Sequence, residues 1–215
     1  MSRLVVVGLG ALGRLAKVCF EQDSPHDVAA FAVHERFLPR DERELLGTPV
    51  VALETLHETH PPDGHDVFVG VGFSERNRAR ARVLAEVVAA GYTPVTYVSS
   101  RAIVYPDLQI GTNAFVCEAA AIQPFCSVGS NTIVWGGTYI AHDVAIGDSC
   151  FIGPGATICG DSRIEDFCFI GSGATVRNGV TVRESCVVGA GALIMQDTNP
   201  GEVFPREGTK PTDSA

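Results

Sequence analysis

Of the six histidines in the chain, one lies beyond residue 100, His142, and an aspartate follows it directly. An imidazole titrates near neutral pH, so it can take the proton from an amine or hydroxyl during attack on an acyl carbon. Asp143 can orient that ring or raise its basicity, as a carboxylate does in a triad. A second constellation opens the chain: the apolar run Leu4 to Val7, then Gly8-Leu-Gly10-Ala-Leu-Gly13, then a helical stretch to about Glu21. Strand, G-x-G-x-x-G and helix together present backbone amides and a helix N-terminus to a phosphate. Glu35 follows about twenty residues later, at the end of a second strand from Val28 to Val33, where an acid can accept hydrogen bonds from a ribose. Three readings of these glycines stand: close strand–helix packing, a nucleotide-bearing substrate, or a redox dinucleotide. The seven cysteines include no pair at the two-residue spacing of a zinc site, and an odd count fits reduced thiols.

The elements that position His142 are legible in a repeat. From Ile110 to Ile194 every sixth residue is Ile or Val, fifteen in succession. A period of six matches no helix. Two places before each aliphatic stands a small or β-branched residue, from Ala114 through Cys126, Cys150, Cys168 and Cys186 to Ala192. Residues two apart on a strand share a face, so both columns point into one interior. The four cysteines there read as compact fillers rather than ligands or nucleophiles. Gly, Asn or Asp recurs three places after the aliphatics, which suits corners with positive φ. Strand and corner take six residues, three such units close a coil of eighteen, and fifteen hexads make about five coils of a parallel β-helix. His142 falls at a corner, so its side chain should leave the coil.

Blocks such as Ile146-Gly-Asp-Ser-Cys150, Ile152-Gly-Pro-Gly-Ala156 and Ile170-Gly-Ser-Gly-Ala174 resemble the hexapeptide-repeat acyltransferases, and the left hand of the helix is what that resemblance implies. A short α/β Rossmann-like domain in front of a left-handed β-helix is similar to the sugar acetyltransferase family that includes sialic acid O-acetyltransferases and bacillosamine-pathway N-acetyltransferases. Val69-Gly-Val-Gly72 followed by Asn77-Arg78 also resembles this family. The expected organisation is residues 1–98 for the nucleotide-sugar domain, 99–203 for the acyltransferase β-helix and 204–215 for a tail. The resemblance implies acetyl-CoA as acyl donor, lying between neighbouring β-helices of a homotrimer, with no metal. It assigns His142 and Asp143 to catalysis and Gly160, Ser172 and Ala190 to the acetyl-CoA groove. It assigns Gly10, Ala11, Leu12, Glu35 and Gly72 to the nucleotide sugar. The chain departs from the family at Trp135, where many relatives have asparagine, and at Phe151, where some have a second histidine. The usual C-terminal Gly-x-Pro-Ala phrase is replaced by Phe204-Pro-Arg-Glu-Gly-Thr-Lys-Pro.

Further expectations concern the surroundings. Ser74 to Ala90 reads as a helix capped by Ser74 and stopped by Gly91, and Arg76, Arg78, Arg80 and Arg82 read as its solvated face. Thr93 to Val98 reads as a strand of the front domain. Backbone amides near Gly153 to Gly155 are candidates for holding a tetrahedral oxyanion. A net charge of −9 in 215 residues argues against nucleic acid or an anionic membrane as partner, and no apolar run is long enough to span a bilayer. A cytoplasmic enzyme is expected. One histidine in the whole helix cannot supply the three-histidine zinc site of γ-class carbonic anhydrases. The acceptor is read as a nucleotide-linked amino sugar. A sugar hydroxyl such as that of sialic acid is the alternative, and a nucleotide-sugar oxidoreductase or a non-catalytic sugar-nucleotide binding protein are the other readings.

Overall fold

A computed structural model describes residues 3–41 and 43–205. The front domain runs β1 (Arg3–Val7), α1 (Ala11–Asp23), β2 (Val28–Val33), β3 (Glu44–Leu45), β4 (Thr48–Ala52), α2 (Leu56–Thr59), β5 (His65–Val69) and α3 (Arg78–Ala89). The sheet order is β3-β4-β2-β1-β5, parallel except for the β3 hairpin. Successive residues of β1 serve opposite faces, which is why the run is apolar throughout. Leu4 and Val6 pack with Leu12, Ala16 and Phe20 of α1, while Val5 and Val7 pack with Val87 of α3. The glycine turn is first a packing device. A Cβ on Gly13 would stand 2.0 Å from the Gly8 oxygen, and one on Gly70 would stand 2.7 Å from Gly13 Cα.

The second part is the expected parallel β-helix. Two-residue strands recur every six residues from Gln109–Ile110 to Leu193–Ile194, and each as far as Thr175–Val176 pairs in parallel with the strand eighteen residues on. They form three sheets. The first contains Ala145–Ile146, the second Phe151–Ile152 and the third Tyr139–Ile140. The aliphatic column is buried from Val116 to Ile194, with Ile110 at the end only partly so. Every corner position from Asn113 to Gly191, six apart, has positive φ, including Ala119, Phe125 and Phe167 as well as the glycines. The small column does more than fill space. The side chains of Cys126, Thr132, Thr138, Cys150, Ser162 and Cys168 each donate to the carbonyl fifteen residues on, in the next coil. Alanine and valine leave that bond unmade, so the column accepts small residues with or without a donor.

Three expectations are corrected at the junction of the two parts. Thr93 to Val98 is not one front-domain strand: Pro94 bridges Val67, but Tyr97–Val98 already pairs with Phe115–Val116 in the second sheet of the β-helix. The α3 helix begins at Arg78 rather than Ser74, because Glu75, Arg76 and Asn77 are all left-handed, with φ of 49°, 53° and 64°. Its arginines are not a solvated face. Arg80 is 1% exposed and donates to Asn131, Val71, Asn77 and Cys150. Arg76 donates to the Ser185 carbonyl, and Arg78 bonds the Ser185 hydroxyl and lies 4.5 Å over the Phe167 ring. Arg82, bidentate to Glu75, stays outside, and Arg78 remains exposed beside the β-helix. Val203–Phe204 adds a strand to the second sheet; the rest of the expected tail, 206–215, lies outside the described residues. No helix among the described residues is long and apolar enough to cross a membrane.

Candidate active site

His142 stands at the corner between the third and first sheets, with its ring outside the coil, as expected from its place in the hexad. Its Nδ1 is 2.9 Å from Asp143 Oδ2, and both side chains are more than half exposed. Asp143 occupies the left-handed corner position, φ 59°, which turns its carboxylate back to its neighbour. With Nδ1 so engaged, Nε2 is the nitrogen that can accept a proton. It lies over Gly160, in the coil below: a Cβ there would stand 2.9 Å from Cε1 and 3.0 Å from Nε2. Asp161, unnoticed in the sequence, brings a second carboxylate within 4.8 Å of the His142 and Asp143 donor atoms, and it accepts from Asn178 of the next coil. The eighteen-residue spacing from Asp143 to Asp161, one coil, was the available signal.

The acyl-donor positions divide between two corners. Gly160 shares the corner of His142, whereas Ser172 and Ala190 lie on the corner between the second and third sheets. Their backbone N–H groups share one property: among the described residues none of the three has an intramolecular acceptor. At the remaining corner, by contrast, Asp148 and Asp166 cover the amides of Ser130 and Asp148. A bare outward amide must meet water or a ligand. The amides of Gly153 and Gly155 are not free for an oxyanion, which corrects that expectation: they bond the Ile170 and Gly136 carbonyls, and Pro154 between them has no N–H.

Around the glycine turn lies a cleft of about 630 Å³. Gly10 and Gly72 line it, with nothing within 4 Å of where a Cβ would be. Ala11 and Leu12 belong to the first turn of α1, where Ala11 is exposed and Leu12 is buried in the core. Leu12 therefore has only its backbone to offer. Glu35 is outside this cleft; it lines a shallow pocket with His34, Arg36 and Glu54. The acidic groups inside the cleft are Glu75 and Glu86, and Glu86 Oε2 is 2.9 Å from His34 Nε2. Sequence reasoning missed Glu86, which is brought in by α3.

The two departures from the family pattern lie between the domains. Phe151 stacks on Phe169 at 5.0 Å, Phe73 of the front domain stands 4.4 Å from Phe169, and Trp135 lies 5.9 Å from Phe151. Neither Phe151 nor Trp135 shares a corner with His142. Cys150 is fully buried, and burial raises its thiol pKa well above the ordinary value, which disfavours the thiolate a nucleophile needs.

The described cleft residues do not include His142. The front domain sits on the second sheet and on the corner of Asn131 and Ser185, while His142 occupies a different corner.

Comparison with known proteins agrees with this architecture. Residues 125–160 match the bacterial transferase hexapeptide (six repeats) family, and residues 163–196 match the hexapeptide repeat of succinyl-transferase. A search of curated sequences finds no significant match. Among solved structures, a perosamine N-acetyltransferase mutant from Caulobacter crescentus, in complex with CoA and GDP-perosamine, matches with a TM-score of 0.83 and 26% identity, covering 94% of this chain and 93% of that one. The acetyltransferase domain of PglB from Neisseria gonorrhoeae matches with a TM-score of 0.82 and 26% identity, covering 94% and 96%. WeeI from Acinetobacter baumannii, 20% identical, shares the fold, with a TM-score of 0.79 and coverage of 94% and 96%. With its repeat and its Rossmann-like front domain, the chain has the hexapeptide-repeat architecture of these transferases, on the two-domain plan of the sugar acetyltransferases it resembles.

Proposed function

We propose that this protein transfers the acetyl group of acetyl-CoA to the amino group of a nucleotide-linked amino sugar, in the cytoplasm, for polysaccharide assembly. The observation that carries the reading is the whole-length likeness to a perosamine N-acetyltransferase crystallised with CoA and GDP-perosamine. The cleft at the glycine turn takes the nucleotide, with its diphosphate at the amides around Gly10 and the N-terminus of α1, whose first turn carries no acid. The acyl donor lies along the bare amides of Gly160, Ser172 and Ala190. His142 Nε2 takes a proton from the acceptor amine as its nitrogen attacks the thioester carbonyl. The tetrahedral adduct collapses, the C–S bond breaks, and the imidazolium returns the proton to the departing thiolate. Asp143 holds the ring and offsets its positive charge. No acyl-enzyme forms, in keeping with the buried Cys150.

Separate corners for base and cleft favour a homotrimer in which one protomer's His142 meets the sugar held by its neighbour. Thiol release from acetyl-CoA, measured against a panel of nucleotide-linked amino sugars, tests the reading. Turnover with one sugar that falls at least about a hundredfold in His142→Ala supports it. Full activity in that variant removes the base, turnover only with a sugar hydroxyl removes the amine, and failure to bind acetyl-CoA removes the function. A monomer by light scattering removes the shared site.

A further inference from the structure

We propose that the nucleotide is a guanosine diphosphate and that Glu86 reads its base, an inference that rests on the nucleotide-sugar reading of the cleft. The diphosphate end is fixed by the turns at Gly8–Gly10 and Gly70–Gly72. Across the cleft, the walls are Val33 and the α3 face of Ala79, Val83 and Glu86. Glu75, the other acid, is neutralised by its bidentate pair with Arg82. Glu86 is repelled by phosphate and accepts hydrogen bonds only, so it must face donors. His34, 2.9 Å from Oε2, fixes its orientation while the carboxylate remains 47% exposed.

Two carboxylate oxygens side by side match two adjacent donors. On its Watson–Crick edge guanine presents N1–H and N2–H₂ together. Uracil and thymine place N3–H between two carbonyls that a carboxylate repels, and adenine and cytosine set an acceptor nitrogen beside their amino group. At the mouth of the cleft Phe37 is 61% exposed, with the Arg36 guanidinium 4.7 Å over its ring. An exposed aromatic paired with a cation offers a flat platform to a planar base. Glu35, on the other side of His34, bonds through its backbone to Glu54 and lies outside this contact.

Calorimetric titration of the full chain with GDP, IDP and UDP tests the assignment. IDP lacks only the N2 amino group. GDP is expected to bind about tenfold tighter than IDP and at least as much tighter than UDP. Glu86→Gln, checked for folding by thermal melt, should weaken GDP by about ten- to a hundredfold and leave UDP nearly unchanged. UDP binding as tightly as GDP to the wild type overturns the base assignment, and needs no variant. Equal losses for all three nucleotides in Glu86→Gln place the carboxylate on ribose and overturn it as well. Should no nucleotide bind, the nucleotide-sugar reading itself fails.

Discussion

Arg80→Met tests how the two domains are held. Arg80 donates to five acceptors: the Asn131 carbonyl and Oδ1, the Val71 carbonyl, Asn77 Oδ1 and the Cys150 carbonyl. Two keep another partner without it, since Asn113 bonds Asn131 Oδ1 and the Ile133 amide bonds the Cys150 carbonyl. Three are left bare: the Asn131 and Val71 carbonyls and Asn77 Oδ1. Asn131 and Asn77 are buried and the Val71 carbonyl part-buried; at about 1 kcal/mol or more for each buried unmet acceptor and less for the third, the loss is about 3 kcal/mol. Burial works in the other direction, disfavouring the charge and lowering the guanidinium pKa to about 10, so the loss should not greatly exceed that figure. For a chain of this length it corresponds to a fall in Tm of about 6–12 °C. The only tryptophan, Trp135, packs against the core shared by the two domains, so its fluorescence in a urea titration reports the junction directly. Arg80→Lys keeps the charge but not the planar fork, and should lose a smaller part. A midpoint for Arg80→Met within about 0.5 kcal/mol of wild type would refute the reasoning, because no buried acceptor would then have depended on this side chain.

Gly160→Ala should leave the fold intact and displace the His142 ring, whose Cε1 would stand 2.9 Å from the new Cβ; kcat should drop about a hundredfold with an unchanged melt, and full activity would show that the ring tolerates another pose. Cys150→Ala should turn over like the wild type, and an acyl-cysteine seen by mass spectrometry would overturn direct transfer. Asp23 supplies a pH dependence. Hydrogen bonds from Ser100, Tyr97 and Ser99 hold its carboxyl well below the usual range. The stability this contributes is complete above the unfolded carboxylate pKa of about 3.9 and is lost as pH falls through the lowered folded value. Asp23→Asn should flatten the acid limb of the melt, and an unaltered limb would show that other carboxylates set it.

The β-helix was legible because one constraint repeats: each hexad places the same two side chains inward, so a period of six can be read without any tertiary knowledge. His142 followed from the same register. Arg80 was not legible. Alternating arginines on a polar helix describe a solvated face until another domain is laid against it, and what lies there is fixed by residues 51 and 70 positions away, at Asn131 and Cys150. Glu35 and Glu86 failed for a related reason. Spacing from the glycines points to the end of β2, yet the chain turns at His34 and sends Glu35 to the outer side, while α3 returns with Glu86. The start of α3 was misplaced because Ser74 has the chemistry of a cap, whereas two of the three left-handed residues after it are held by contacts far along the chain, Arg76 by the Ser185 and Gly201 carbonyls and Asn77 by the Cys168 carbonyl.

The coil also quantises chain length. An insertion of one residue would put every later aliphatic out of phase with its stack, so changes are tolerated in units of eighteen. Even whole units are not equivalent along the axis. A duplicated coil beyond Ser185 and Gly201, the last carbonyls that Arg76 reaches, would extend the prism and disturb nothing upstream. A coil duplicated between Asn131 and Cys150 would move His142 one storey, about 4.8 Å, and would separate two residues that Arg80 grips at once. The junction is thus a gauge as well as a clamp: it admits growth at one end of the protein and forbids it between the domain contact and the base.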